Sequence, residues 1–341
     1  MPKGTIYKMR KCELGREATK GTAVAGSQQM AAILELEPDE VISRDDETPL
    51  GVLVKNAGPR AIVKKSTNVT LRAPRAMYEQ LDWFLGLCLD RPTTAGASPF
   101  THTFDPGVAL IADPHSATVR GRWTDGVTAR DLRVAYFTGQ RLRLRGEESG
   151  LLQAELVGFG RAMVAEAISA AAIPATLTPM KIAEAKVFFN DTLALADLDA
   201  PAAGVVPLQM KSFDLEVNMG HFPEWNMEGS LDFGEAKEGE KDFSLGMQLR
   251  HDATAAAENA AAEDAHAQAM DLRFVTISFT GPGNLKFRIV VAGTHEKARV
   301  GPPRAQADGL DLVDYSIVPH HDTTGQKMVK AVITNDDSIS M

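Results

Sequence analysis

Cysteine is almost absent from this 341-residue chain. The two residues present, Cys12 and Cys88, are too few for a disulfide framework or a cysteine-based metal site. They predict two free thiols in a protein made in a reducing cytoplasm. Aromatic residues make up only 6%, which leaves few platforms for stacking on sugars. No apolar run approaches the ~18 residues of a membrane span. The opening Met1-Pro2-Lys3-Gly4 lacks the apolar core of a secretory signal. A basic excess is missing as well. The net charge is -9, whereas ordinary nucleic-acid binding needs a basic footprint to neutralise phosphates. The charge is also uneven. Residues 1–170 carry 22 basic and 20 acidic side chains, while residues 171–341 carry 14 and 25.

Catalytic signatures are missing in turn. There is no phosphate-binding loop, no GxGxxG after a strand, and no HExxH, CxxC or GxSxG. His320-His321-Asp322 sits in a predicted hairpin turn and reads as a solvated polar loop. His102 and His115 flank a Pro/Gly-rich loop with no sign of convergence. The acids Asp39, Glu40, Asp45, Asp46 and Glu47 lack the spacing and glycine of an EF-hand. No catalytic, cofactor-binding or metal-binding residue is assigned, and no cofactor is expected.

What the chain does contain is strand signal. Ile62 to Leu71, Val119 to Trp123, Ala129 to Tyr136, Arg141 to Arg145 and Leu151 to Phe159 alternate or are apolar between turns. The second half repeats this texture from Phe213 to Val217, Trp225 to Phe233, Phe243 to Leu249, Phe274 to Phe279, Leu285 to Val291, Asp311 to Val318 and Met328 to Ile333. Only Arg75 to Leu89 and the Ala-rich Thr254 to Met270 read as helices. Each half therefore runs strands, one helix, then strands. This order suggests a duplication, with domains at 1–165 and 180–341 joined by an Ala/Pro-bearing linker at 166–179. The predicted class is mainly β, as two β-sandwich domains with one flanking helix each.

One strand stands out. Arg141, Arg143 and Arg145 share a face, with Leu142 and Leu144 on the other. Three guanidinia on one face need compensation. Glu155 on the returning strand would supply it locally. Asp214 and Glu216, on the polar face of a second-half strand, would supply it at a subunit interface.

The segment Gly15-Arg16-Glu17-Ala18-Thr19-Lys20-Gly21-Thr22-Ala23-Val24 resembles the G-x-E-x-T-x-G-T-x-V opening of siphophage tail tube (major tail) proteins. The acidic stretch after Leu34, the helix from Tyr78 to Leu89, the hairpin from Leu142 to Gly158 and the closing strands with Ile333-Thr334-Asn335 are similar too. The resemblance implies tail-tube β-sandwiches whose inner sheets join into a ring-spanning β-barrel. Rings stack into a conduit for DNA ejection from the virion, and the subunits are made in the host cytoplasm. The implied partners are further copies of the chain, as homotrimer or homohexamer rings, together with the tape measure protein and tail-end proteins. Phage DNA would pass through the lumen without sequence-specific binding, and no membrane insertion is implied. A duplicated domain points to the trimer. The loops Asp45 to Arg60 and Thr93 to Pro114 would be ring-stacking arms, the first carrying an apolar patch at Leu50, Val52 and Leu53. Alternative readings are a tail-end or baseplate hub protein of the same fold, or a glycan-active β-sandwich.

Overall fold

The computed structural model describes residues 9–44, 60–106, 114–124, 129–169, 171–191, 208–225, 230–250, 255–297, 304–305, 311–320 and 328–336. The fold is mainly β and β-sandwich-like, with two α-helices among the described residues. No helix among them is long and apolar enough to cross a membrane.

In the first half, Met9–Arg16 pairs with Gln28–Met30 and with Ala117–Thr124. Ile33–Arg44 pairs with Arg60–Ala73, which pairs in turn with Gln153–Gly160. Ala129–Glu147 joins the two layers. It pairs with Ala117–Thr124 and Val164–Ala165 through its first part, and with Gln153–Gly160 through its second.

The second half pairs its strands in the same way. Ala185–Asn190 lies between Leu208–Asn218 and Arg273–Thr280. Leu208–Asn218 pairs with Asp242–Arg250, which pairs with Asp311–Pro319. Lys286–His295 pairs with Arg273–Thr280, Asp311–Pro319 and Val329–Asn335. When Gln28–Met30 and Ile33–Arg44 are taken as one strand bent at residues 31–32, every one of these pairings has its counterpart in the other half. The chain order matches as well, and the helix falls at the same point. The pairings among the described residues do not close into the expected barrel.

The helices are held differently. Leu81–Cys88 is buried throughout. Its Trp83 Nε1 donates to Gln28 Oε1 at 2.6 Å. Just before it, the Gln80 amide accepts from Ala31 N at 2.9 Å and donates to Gln29 O at 2.9 Å, which fixes the bend at residues 31–32. The helix begins six residues later than Arg75, the expected start, because Met77 to Gln80 are committed to a bridge with Pro179 and to turns. Ala255–Ala269 matches its expected span. It meets the sheet through Ala267 and a charged residue, Glu263.

Several expectations change. Ala129 to Tyr136 and Arg141 to Arg145 are one 19-residue strand. It crosses between layers at a bulge opposite Ala117 to Val119, where Tyr136 takes φ 55°. The expected strand from Trp225 to Phe233 is replaced, where described, by the short pair His221–Glu224 and Glu235–Glu238. Trp225 and Phe233 pack instead on Tyr136 and Phe159. The 166–179 linker carries no helical turn among its described residues and is tied down. Ala172 O accepts from Gln29 N at 3.0 Å, and Ser169 Oγ donates to Glu13 at 2.7 Å. Thr93–Ala95 and Phe100–Phe104 form a hairpin, and Phe100–Phe104 adds to Val329–Asn335 of the second half. This arm bridges halves within one chain. Leu50, Val52 and Leu53 lie outside the described residues.

Cys12 and Cys88 are both free and buried. Burial pushes the Cys12 thiol up to about 12, so at neutral pH it is a small apolar group and a poor nucleophile.

Candidate functional site

The two halves meet edge to edge. The second part of Ala129–Glu147 pairs with Leu208–Asn218 from Ser212↔Glu147 to Asn218↔Arg141. Strand alternation then sorts the side chains. Leu142, Leu144, Phe213, Leu215 and Val217 point into a single apolar core that spans both halves. Leu142 and Leu144 are fully buried, as expected from the alternation.

The opposite face carries charge, and its signs alternate across the strands. Glu35 lies 3.5 Å from Arg72, and Arg72 Nε donates to Glu155 at 2.9 Å. Arg141 lies 4.0 Å from Glu155 and 3.6 Å from Glu216. Arg143 makes a two-point contact with Asp214, one bond being 2.8 Å. That carboxylate holds the Arg143 guanidinium well above its ordinary pKa. Arg145 donates to Gln153 at 2.9 Å, and Gln248 donates to Asp314 at 3.0 Å.

The arginine ladder and the Asp214/Glu216 face therefore do meet. They meet inside one chain, across the seam between halves, and not between protomers as expected from the sequence. Glu155 shares the compensation. The side chains in this row are partly exposed, so each pair contributes under about 1 kcal/mol. Their main effect is to fix register, because a one-residue slip would set like charges opposite one another or bury the arginines.

A cleft of about 750 Å³ opens at the end of the seam, lined by Arg145, Glu148, Asp214, Met247, Asp314 and Tyr315 among others. A second, of about 820 Å³, lies between residues 172–178 and the turn Pro282 to Leu285. No group of three or more His, Cys, Asp or Glu residues among the described residues could hold a metal ion. His320 donates its backbone N–H to Ala292; His321 and Asp322 lie outside the described residues.

The Gly15 to Val24 segment has a structural logic the sequence did not disclose. Glu17 is buried, and its carboxylate accepts four hydrogen bonds. They come from Gly21 N at 2.7 Å and from Ser116 Oγ, Thr118 Oγ1 and Tyr136 N at 2.8 Å each. One side chain thus closes the turn at Gly21, ties the first strand to Ala117–Thr124 and holds the bulge at Tyr136. Gly21 has φ +79°, and a Cβ there would lie 2.6 Å from the Arg161 guanidinium. Glu17→Ala leaves four donors without their acceptor and is expected to cost about 3 kcal/mol or more. Urea unfolding checks this. A midpoint unchanged from the parent would mean that the cluster does not anchor the fold.

Three features escaped the sequence reading: the Glu17 cluster, the hairpin arm at Thr93–Phe104, and the strand Ile33–Arg44. The last hid behind Glu35, Glu37, Pro38, Asp39 and Glu40, which obscure a short alternation of Leu34 and Leu36.

No protein-family model matches the chain, and no curated protein matches it in sequence.

Proposed function

We propose that this chain is a structural subunit of a long, non-contractile phage tail tube, with two tube domains per chain at 1–165 and 180–341. The resemblance of Gly15 to Val24 and of the closing strands supports the family. The observation that carries the assembly reading is the seam. One pattern of strand pairing occurs twice, and the two copies already join edge to edge in a single sheet. A protein that joins two such units within a chain has the geometry to join more between chains. Three chains would supply six similar domains to a ring, and stacked rings would form the conduit.

The charged face fits passage of DNA without capture. Its arginines are each met by acids or amides, so it offers no continuous basic track for phosphates. The acidic second half adds repulsion. Joined sheets also remove edges that would otherwise aggregate. The partners on this reading are further copies of the chain, a tape measure protein, tail-end proteins and DNA in transit.

Negative-stain microscopy of the purified protein tests the reading. Polymerised tubes with a central channel are the expected result. Isolated rings that never stack would favour the tail-end or hub alternative. Monomers at every concentration would overturn both.

A further inference from the structure

The cleft between residues 172–178 and the turn Pro282 to Leu285 draws its lining from both halves and from the segment that joins them. Its volume of about 820 Å³ falls within the ~300–1,000 Å³ of ligand sites. Glu79 and Asp336 are among its described lining residues, and no lysine, arginine or histidine is.

Glu79 is the anchor of the site. It is only 8% exposed, yet no cation among the described residues pairs with it. One carboxylate oxygen accepts from Thr178 N at 2.8 Å, and the other has no partner among the described residues. A buried carboxylate without a counter-charge is costly, and a cation entering the cleft would offset that cost. Asp336, exposed to water, accepts from Ser98 Oγ at 3.4 Å and adds a second negative charge.

Gln28 supplies an independent sign of a missing partner. It is 5% exposed and lines the same cleft. Its Oε1 accepts from Trp83 Nε1 at 2.6 Å, so the orientation of the amide is fixed. Nε2 is then a buried donor with no acceptor among the described residues. Apolar surface completes the lining, with Ile173, 48% exposed, and Leu285.

Both walls are tied by backbone bonds. Tyr78 N donates to Thr178 O at 3.1 Å, and Gln29 N to Ala172 O at 3.0 Å. Gly281 N donates to Leu285 O at 2.9 Å, in a turn where Gly283 takes φ +66°. The cleft is therefore formed before anything enters it, which lowers the ordering cost of binding.

These groups define a ligand with three parts: a cation for Glu79 and Asp336, an acceptor for Gln28, and an apolar body for Ile173 and Leu285. An inorganic cation has only the first. An arginine within a peptide has all three, and its planar guanidinium suits a carboxylate better than an ammonium does. We propose that this cleft binds an arginine-bearing, apolar segment of a partner protein. The guanidinium meets Glu79, a backbone carbonyl accepts from Gln28 Nε2, and the neighbouring apolar side chain covers Ile173 and Leu285. The inference goes beyond the tube reading and does not depend on it.

The test is a saturation-transfer NMR titration of the full chain with N-acetyl-leucyl-arginine amide. Saturable binding is expected. The citrulline analogue keeps the shape and loses the charge, and is expected to bind about tenfold more weakly or worse. Glu79→Gln keeps the acceptor for Thr178 N, and Asp336→Asn changes an exposed site, so both should melt like the parent. Each is expected to weaken the arginine peptide and to leave the citrulline peptide unchanged. If Glu79→Gln does not fold, Asp336→Asn decides. No saturable binding, equal binding of the two peptides, or folded variants that bind like the parent would overturn the proposal. Cadaverine displacing the peptide at equal concentration would overturn it too, by showing a site for small cations.

Discussion

Leu144→Asp is expected to abolish the folded state. Leu144 lies fully buried in the long strand that joins the halves, opposite Ala154 on one side and Leu215 on the other. Losing a buried leucine costs about 2–5 kcal/mol. A carboxylate left in that site without a partner costs several more. Together these approach the ~5–15 kcal/mol that separates folded from unfolded domains. Because this core is shared across the seam, both halves should be affected. The expected readout is an insoluble product, or one with no cooperative thermal transition. Arg143→Ala, one residue away on the charged face, is expected to cost under about 1 kcal/mol. A folded Leu144→Asp protein would mean that the strand presents the opposite face to the core.

The second large effect is expected at Glu263. This residue of the helix Ala255–Ala269 is buried among charges. Its carboxylate accepts from Arg273 at 2.5 and 3.2 Å and lies 2.7 Å from His295 Nε2. Arg273 also contacts Asp191. Phe189 and Tyr315 pack around the imidazole. Burial pulls the Arg273 guanidinium down to about 10, still charged at neutral pH. Glu263→Ala would leave that buried charge with only the exposed Asp191 of its two carboxylate contacts, at about 3 kcal/mol. Where its side chains are described, this helix buries little apolar surface, Ala267 alone, so it should loosen before the sheet does. Hydrogen exchange over residues 262–269 should rise well before global unfolding. Replacing Glu263 and Arg273 together by methionine should recover part of the loss, because the buried pair is gone and Asp191 is exposed to water. If the single and double variants lose stability equally, the charge pairing is not what anchors the helix.

These two sites show how far the sequence was readable. The strands with clean alternation, such as Phe243 to Leu249 and Arg141 to Arg145, were legible because burial on one face imposes a period of two. So was the order of elements in each half. Contacts distant in sequence were not. Nothing local in Glu17 says that its partners are Ser116, Thr118 and Tyr136. Nothing in the arginine ladder distinguishes Asp214 on the same chain from Asp214 on another. The same alternation serves both, and only the intervening topology decides. In the sequence the acidic strand Ile33–Arg44 looks like a stretch of charge, because an edge strand needs one apolar face at most. The helices were legible by composition, but their anchoring was not, since a buried Glu263 looks like any exposed helical glutamate.

The hairpin arm bears on synthesis at the ribosome. Phe104 lies opposite Ala331 in the finished sheet, so roughly 230 residues must be added after the arm emerges before its partner strand exists. At about 5–20 residues per second, this is an interval of tens of seconds. Throughout that time the edge of Phe100–Phe104 that Val329–Asn335 will take is unoccupied. The arm cannot settle until translation is nearly complete, and the first half, although its own strands are all made, waits on the last one for closure. A nascent chain held at that stage is the form most exposed to strand exchange with its neighbours on the same message.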